Sequence, residues 1–392
     1  MVSKFLTAAL AAASVVSGNT VVNNKKFNAY WGQSGPAEER LKDRCDEGPD
    51  YITLGFVNSS PENNPTGFPS INFASHCWAT GFSNSQGVET KLLNHCGTIQ
   101  QDLQYCRDKG IKMLLSIGGV YNTAANNYKV TTAQKGRDFA DFLWKAFGPY
   151  DPTSNVPRPF DDQMGGHSQV DGFDFDLEMD NGFDNAPYVA MVEQFRSKSS
   201  SVIITAAPQC PLPSNSNSDL IKNAQFDALF VQFYNNPVCD LIPGNTAFDS
   251  FNYGAWESVL ATSNKSKKAK IFVGIPASSG VAGSGYVTPA QLRAQICSIA
   301  KKDSFGGVMV WDIYPRSVRR HNYHHDDDDY HHLVDSHQHQ HLHHDYDDQH
   351  HHEHHQLSQH HQHCYLDQHF VDQHCYLDQH FYSTTWYQHW HF

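Results

Sequence analysis

The chain has 392 residues and a formal charge of −13, from 28 Lys and Arg against 41 Asp and Glu. The imbalance is local: residues 321–392 hold 12 of the acids and no Lys or Arg, which leaves 28 basic and 29 acidic residues elsewhere. That balanced body excludes the basic footprint of a nucleic-acid binder and of a protein drawn to an anionic membrane surface.

Residues 1–18 read as a secretory signal peptide. Lys4 gives the charged start, an Ala-rich apolar run follows, and Ser17-Gly18 offers small residues for cleavage. The competing reading is an apolar helix of the mature fold. No later apolar run is long enough to span a bilayer. Export implies an oxidising compartment, which suits Cys45, Cys77, Cys96, Cys106, Cys210, Cys239 and Cys297. Six of these can pair. Cys297 sits in an apolar helical run and reads as a buried free thiol. Asn58-Ser59-Ser60 and Asn264-Lys265-Ser266 match the glycosylation pattern. Asn264 lies in a polar loop and is the better acceptor, whereas Asn58 follows a strand and suits the inside of a site.

Strand-like segments recur at 27–30, 51–57, 112–117, 172–176, 202–206, 228–233, 271–275 and 307–311. Helical periodicity fills the intervals at 38–45, 99–109, 133–147, 186–197, 254–263 and 289–301. Thr288 before Pro289 reads as an N-cap with proline in the first turn. This alternation over residues 19–318 predicts an α/β fold, a (β/α)8 TIM barrel. An open doubly wound sheet is the alternative, weakened because no glycine-rich phosphate loop follows the first strand.

The strand ends share a character. Polar or aromatic residues cluster in Tyr30-Trp31-Gly32-Gln33, Phe56-Val57-Asn58, Ser116-Ile117-Gly118-Gly119, Pro208-Gln209, Gln232 to Asn235 and Trp311-Asp312. In a barrel they converge on one rim. The densest stretch is Asp171-Gly172-Phe173-Asp174-Phe175-Asp176-Leu177-Glu178. Alternation puts Asp174, Asp176 and Glu178 on one face of a strand and Phe173, Phe175 and Leu177 on the other. A half-buried antiparallel strand with its acids in water would show the same pattern. The mostly apolar neighbouring strands favour the barrel, where successive inward residues lie about 6.5–7 Å apart. Three such carboxyls cannot all ionise cheaply, and their titration belongs to the cluster. Glu178, nearest the open rim, is the natural protonated acid. The body's histidines, His76, His95 and His167, form no metal-ligand pattern, and there is no serine nucleophile elbow. Carboxyls among aromatics point to glycoside hydrolysis, with no metal or organic cofactor.

Asp-x-x-Asp-x-Asp-x-Glu at 171–178 resembles the signature of glycoside hydrolase family 18, the chitinases. Leu115 to Gly119, Ala207-Pro208-Gln209-Cys210, Val231 to Pro237 and Gly306 to Trp311 extend the resemblance to the plant class III and fungal plant-type members. The likeness implies a secreted endochitinase of the extracellular space or cell wall, monomeric, acting on β-1,4-linked N-acetylglucosamine polymers. It implies retention by substrate assistance, in which the N-acetyl carbonyl attacks the anomeric carbon to give an oxazolinium ion. By the same resemblance Glu178 is acid then base, Asp176 orients the acetamide, and Asp174 tunes Asp176. Tyr234 binds the acetamide oxygen and Trp311 floors the sugar. Tyr30, Gln232 and Asn235 are substrate contacts or supports of the site, and Asp171 is structural. The resemblance also implies disulfides Cys45–Cys106, Cys77–Cys96 and Cys210–Cys239, and cis peptides at Gly55–Phe56 and Trp311–Asp312. An endo-β-N-acetylglucosaminidase acting on N-glycans shares the signature, and a non-catalytic chitin-binding barrel shares the fold. No carbohydrate-binding module is visible, so poor action on crystalline chitin is expected.

The resemblance stops after Asp312. Residues 319–392 form a low-complexity tail with 23 of the 26 histidines, and His363 to Phe370 recurs at 374–381. The tail reads as disordered, as metal-binding, or as a reading-frame artefact. No helical segment follows the eighth strand, so the barrel is expected to lack a normal eighth helix and to be less stable for it.

Overall fold

The computed structural model describes residues 25–313, apart from 95, 163–164, 180–182, 213–216 and 242–250. The signal segment, the His/Asp-rich tail and the place of an eighth helix all lie outside the described residues.

The chain opens with β1 (Lys26–Trp31), α1 (Leu41–Cys45) and β2 (Tyr51–Ser59). A long excursion carries β3 (Ser70–Ile71) and the hairpin of β4 (Gly81–Ser83) and β5 (Glu89–Leu93). Then come α2 (Gly97–Asp108), β6 (Lys112–Gly119), α3 (Ala133–Phe147), β7 (Gly172–Leu177), α4 (Ala186–Lys198) and β8 (Ile203–Ala206). After these follow α5 (Asn217–Asn223), β9 (Ala228–Gln232), α6 (Tyr253–Thr262), β10 (Lys270–Pro276), α7 (Pro289–Ile296) and β11 (Phe305–Trp311).

Eight parallel strands run around a ring in the order β1, β2, β6, β7, β8, β9, β10, β11. β1 closes it by pairing with both β2 and β11. The sheet is a (β/α)8 barrel, as the alternation of segments implies, and the open doubly wound sheet is set aside. β3 adds antiparallel to the far end of β2, which places the whole β2–α2 excursion at the C-terminal rim.

Two apolar cores follow from side-chain alternation on the strands. Inside the ring, Leu114, Phe230, Phe272 and Met309 pack beneath Tyr30, Phe56 and Tyr234. Outside it, the other face of β7 packs outward: Phe173 stacks on Phe195 of α4 at 4.1 Å, and Phe175 packs edge-on to Phe226, between α5 and β9, at 5.9 Å. Burial of each such ring contributes about 1.5–3 kcal/mol. Gly118 permits the tight join of β6 to β7. Its φ is +129°, and a Cβ there would collide with the Asp176 carbonyl.

Helix boundaries match the periodicity closely at α3, whose N-cap Thr132 accepts from the Lys135 amide. The N-cap at Thr288 is a full capping box with Gln291. α1 starts at Leu41 rather than 38 because Arg40 is extended, its guanidinium held by Asp102 of α2. The same Asp102 carboxylate accepts the Lys42 amide and caps α1 from a neighbouring helix. α7 ends at Ile296, and residues 297–301 continue only as turns.

Three disulfides, Cys45–Cys106, Cys77–Cys96 and Cys210–Cys239, join the pairs implied by the resemblance. Cys297 corrects the expectation of a buried free thiol: it is half-buried and disulfide-bonded. Asp171 is structural. Its carboxylate accepts the Met113 amide at 3.0 Å and pairs with Arg107 at 3.3 Å at the start of β7.

Candidate active site

β7 runs up the barrel wall with Asp174 and Asp176 facing inward, and Glu178 stands just beyond its end. Asp174 is fully buried and saturated. Tyr30 Oη and Ser116 Oγ each donate to its Oδ2 at 2.7 Å, and Thr205 Oγ1 donates to Oδ1 at 2.6 Å. Burial raises its carboxyl above the ordinary range, and those three hydroxyls pull it back. Two residues further along β7, Asp176 is pushed far above its ordinary value, first by burial and then by repulsion from Glu178 and Asp174. Glu178 is half-buried at the rim and is also raised, by burial. Gln232 at the end of β9 ties the upper two together. Its amide nitrogen donates to Asp176 Oδ1 at 2.8 Å, the Ala207 carbonyl at 3.0 Å and Glu178 Oε1 at 3.3 Å.

The arrangement is a column of three carboxyls, the lowest hydrogen-bonded by three hydroxyls and the upper two bridged by one amide. Like charges this close cannot all ionise, so the upper pair holds a proton over a wide pH range. The column can therefore offer an acid and a polar anchor side by side.

Aromatic rings form the walls. Trp311, half-buried at the end of β11, meets Tyr30 and Phe56 with ring centres 5.7 Å away in each case. Tyr234 follows β9 and is buried. Among the described residues its hydroxyl makes no hydrogen bond, so it is free to take a ligand atom. Tyr30 and Gln232 spend their polar groups on the carboxyl column. Asn235 is exposed, adopts φ +61°, and accepts the Gly283 amide at 2.7 Å, so it braces the rim. Asn58 is half-buried, with its Oδ1 unpaired, while Asn264 is exposed.

The Gly55–Phe56 peptide is cis, and Phe56 pairs with Asn72 through both backbone groups. The expected cis bond at Trp311–Asp312 is not present. There the peptide is trans, with the Trp311 carbonyl accepting from the Ala277 amide and the Ile313 amide donating to the Tyr30 carbonyl. Asp312 turns back under this seam, where its buried carboxyl accepts the amides of Gln33 at 2.9 Å and Ser34 at 2.8 Å.

Burial pushes Asp312 up to about 7 and the nearby Glu39 up to about 8, the latter against the pull of Arg44. Both groups are held above their unfolded values. Their stabilising contribution is complete below about pH 4 and is lost as pH rises through 7 and 8, because the unfolded chain ionises first. The melting temperature should accordingly fall between pH 4 and 8, and Asp312→Asn should flatten that slope. Scanning calorimetry across this range checks it; equal slopes in both proteins would contradict the assignment.

Sequence reasoning left out Thr205 and Tyr128. Thr205 had a signal, being the one polar residue in the inward register of an apolar strand. Tyr128 had none, as one of two tyrosines in the loop between β6 and α3. Its hydroxyl accepts the Glu178 amide at 2.9 Å and donates to the Gly119 carbonyl at 2.8 Å.

Residues 26–283 match the family described as Glycosyl hydrolases family 18. Endochitinase A1 of Aspergillus fumigatus is 38% identical over 316 residues, covering 78% of this chain and 37% of that protein. Endochitinase A of Emericella nidulans is 38% identical over 324 residues, covering 79% and 32%. The chain thus spans about a third of the length of the curated relatives it matches. Among solved structures, the ICChI chitinase from Ipomoea carnea is 29% identical with a TM-score of 0.56, covering 73% of this chain and 94% of that one. The xylanase and alpha-amylase inhibitor protein XAIP-II from Scadoxus multiflorus is equally similar, 29% identical with a TM-score of 0.56, covering 74% and 93%.

Proposed function

Since the chain belongs to glycosyl hydrolases family 18, we propose that it is a secreted endochitinase cleaving β-1,4 bonds of N-acetylglucosamine polymers with retention. The observation that carries this reading is the pairing of Asp176 with Glu178 through the single amide of Gln232, beneath an unengaged Tyr234 hydroxyl. In the proposed reaction Glu178 gives its proton to the glycosidic oxygen as the C1–O bond breaks. The substrate's acetamide oxygen closes on C1 from the opposite face, and Asp176 takes the acetamide N–H. Tyr234 steadies the acetamide oxygen, and Trp311 supports the sugar face. Glu178, now a carboxylate, removes a proton from water as that water opens the oxazolinium ion. Two inversions at C1 leave the configuration retained.

The raised carboxyls suit this task, because an acid must still hold its proton at the working pH. A complete carboxyl column also speaks against a purely binding barrel, despite the likeness to the inhibitor protein. Three disulfides accord with secretion.

The test is incubation of the full chain with chitin oligomers of four to six sugars and, separately, with a high-mannose glycoprotein. Proton NMR follows the anomer released first. Oligomer cleavage yielding the β-anomer is expected. Glycan release without oligomer cleavage would favour the endo-β-N-acetylglucosaminidase reading, and tight oligomer binding without turnover would favour the binding barrel.

A further inference from the structure

The peptide unit joining Leu177 to Glu178 lies at the end of the sheet. The β6–β7 ladder stops at the pair Gly119 and Leu177, and the β7–β8 ladder stops at Phe175 and Ala206. The Leu177–Glu178 peptide therefore sits at the margin of both ladders. There its N–H and its C=O are each bonded to a side chain. Tyr128 Oη accepts the Glu178 N–H at 2.9 Å, and Asn217 Nδ2 donates to the Leu177 carbonyl at 2.8 Å. One peptide plane is thus gripped at its two polar edges from opposite sides of β7.

The gripping groups are themselves fixed. Tyr128 is fully buried, and its hydroxyl hydrogen goes to the Gly119 carbonyl at the tip of β6. Its ring packs edge-on against Tyr121 at 5.1 Å, and its carbonyl accepts from Tyr188 of α4 at 3.3 Å. Asn217 is buried at the start of α5, the short helix that follows β8 in the chain.

We propose that Tyr128 and Asn217 are positioning residues that together set the orientation of the Leu177–Glu178 peptide, and through it the place of the Glu178 carboxyl. The inference rests on the reading of Glu178 as the proton donor. A carboxyl on a strand's last residue swings with its backbone, and a displacement of about 1 Å in a reacting group can cost on the order of 10²-fold in rate. Neither side chain reaches the carboxyl itself, so both act through the backbone.

Tyr128→Phe removes the hydroxyl and keeps the ring. We expect kcat on chitin oligomers to fall about 10- to 100-fold with KM within about two-fold. The alkaline limb of kcat/KM should move to lower pH as Glu178 becomes better hydrated. Amide hydrogen exchange gives a reading independent of any substrate. Exchange at Glu178 should quicken at least ten-fold while the ladder amides of 172–176 stay unchanged. Asn217→Ala is the second variant and should reproduce the kcat loss. A residue that merely supports the fold would lower the melting temperature without moving the limb or the single amide. The proposal is overturned if Glu178 exchange is unchanged in Tyr128→Phe, or if kcat per folded molecule stays within two-fold in both variants. Should the unaltered protein fail to cleave chitin oligomers, the functional reading falls, and Glu178 exchange still decides the grip.

Discussion

Glu178→Gln should abolish chitin-oligomer hydrolysis, lowering kcat by about 10³- to 10⁴-fold while leaving oligomer affinity nearly intact. The side chain stands at the rim, raised in pKa by burial and touched by Gln232 at 3.3 Å. Glutamine has the same shape but cannot give a proton to a leaving alkoxide. General acid catalysis contributes typically about 10²- to 10⁴-fold. The same group would act again as the base for water, which places the expected loss at the upper end. That loss corresponds to about 4–5.5 kcal/mol of transition-state stabilisation. Rapid-quench assay of oligomer cleavage gives kcat, and calorimetric titration gives affinity. A variant keeping a tenth of the parent rate would remove Glu178 from the acid role.

Asp176→Asn should lower kcat by about 10²- to 10³-fold and move the alkaline limb of the pH profile toward acid. Asp176 is buried, and both neighbouring carboxyls push its pKa further up. The upper pair therefore loses its protons in two steps, and the later one is delayed by repulsion. With asparagine present, Glu178 titrates alone and gives up its proton at lower pH. The sign does not depend on which oxygen carries the shared proton. The rate loss has a separate source: asparagine supplies no negative charge for the cation growing on the acetamide. Profiles of kcat/KM from pH 3 to 9 measure the limb. An alkaline limb that stayed in place or moved up would mean that the two carboxyls do not share their titration.

Most of the barrel could be read from the chain because its strands are apolar on one or both faces and bounded by helical periods. The carboxyl column was legible for the same reason, since alternation alone puts residues 174, 176 and 178 on one side. What could not be read is how long-range partners use their hydrogen bonds. Gln232 and Tyr30 could equally have faced a substrate, and only the fold shows their amide and hydroxyl engaged with Asp176 and Asp174. α1 begins late because Asp102, about 60 positions away, supplies its cap. α5 was missed because its seven residues bury only Leu220 and Ile221 among their apolar side chains, too few to form a period. Tyr128 is the extreme case: nothing within its loop marks it, and its role exists only where the ends of β6 and β7 meet.

Closure of the ring has a consequence for the timing of synthesis. β1 pairs with β11 through Lys26 and Gly307, so the first strand must wait for nearly all the described chain to emerge before its second edge is covered. Until then β1 and its neighbours present an unpaired edge, the kind of surface on which chains join one another. Contacts of such separation slow folding. The disulfides Cys45–Cys106 and Cys77–Cys96 both fall within the first third of the ring and can form long before that moment. They hold α1, α2 and the β2 excursion together while the ring is still open. The early part of the molecule is thus secured locally, and its exposure during production is confined to a single seam.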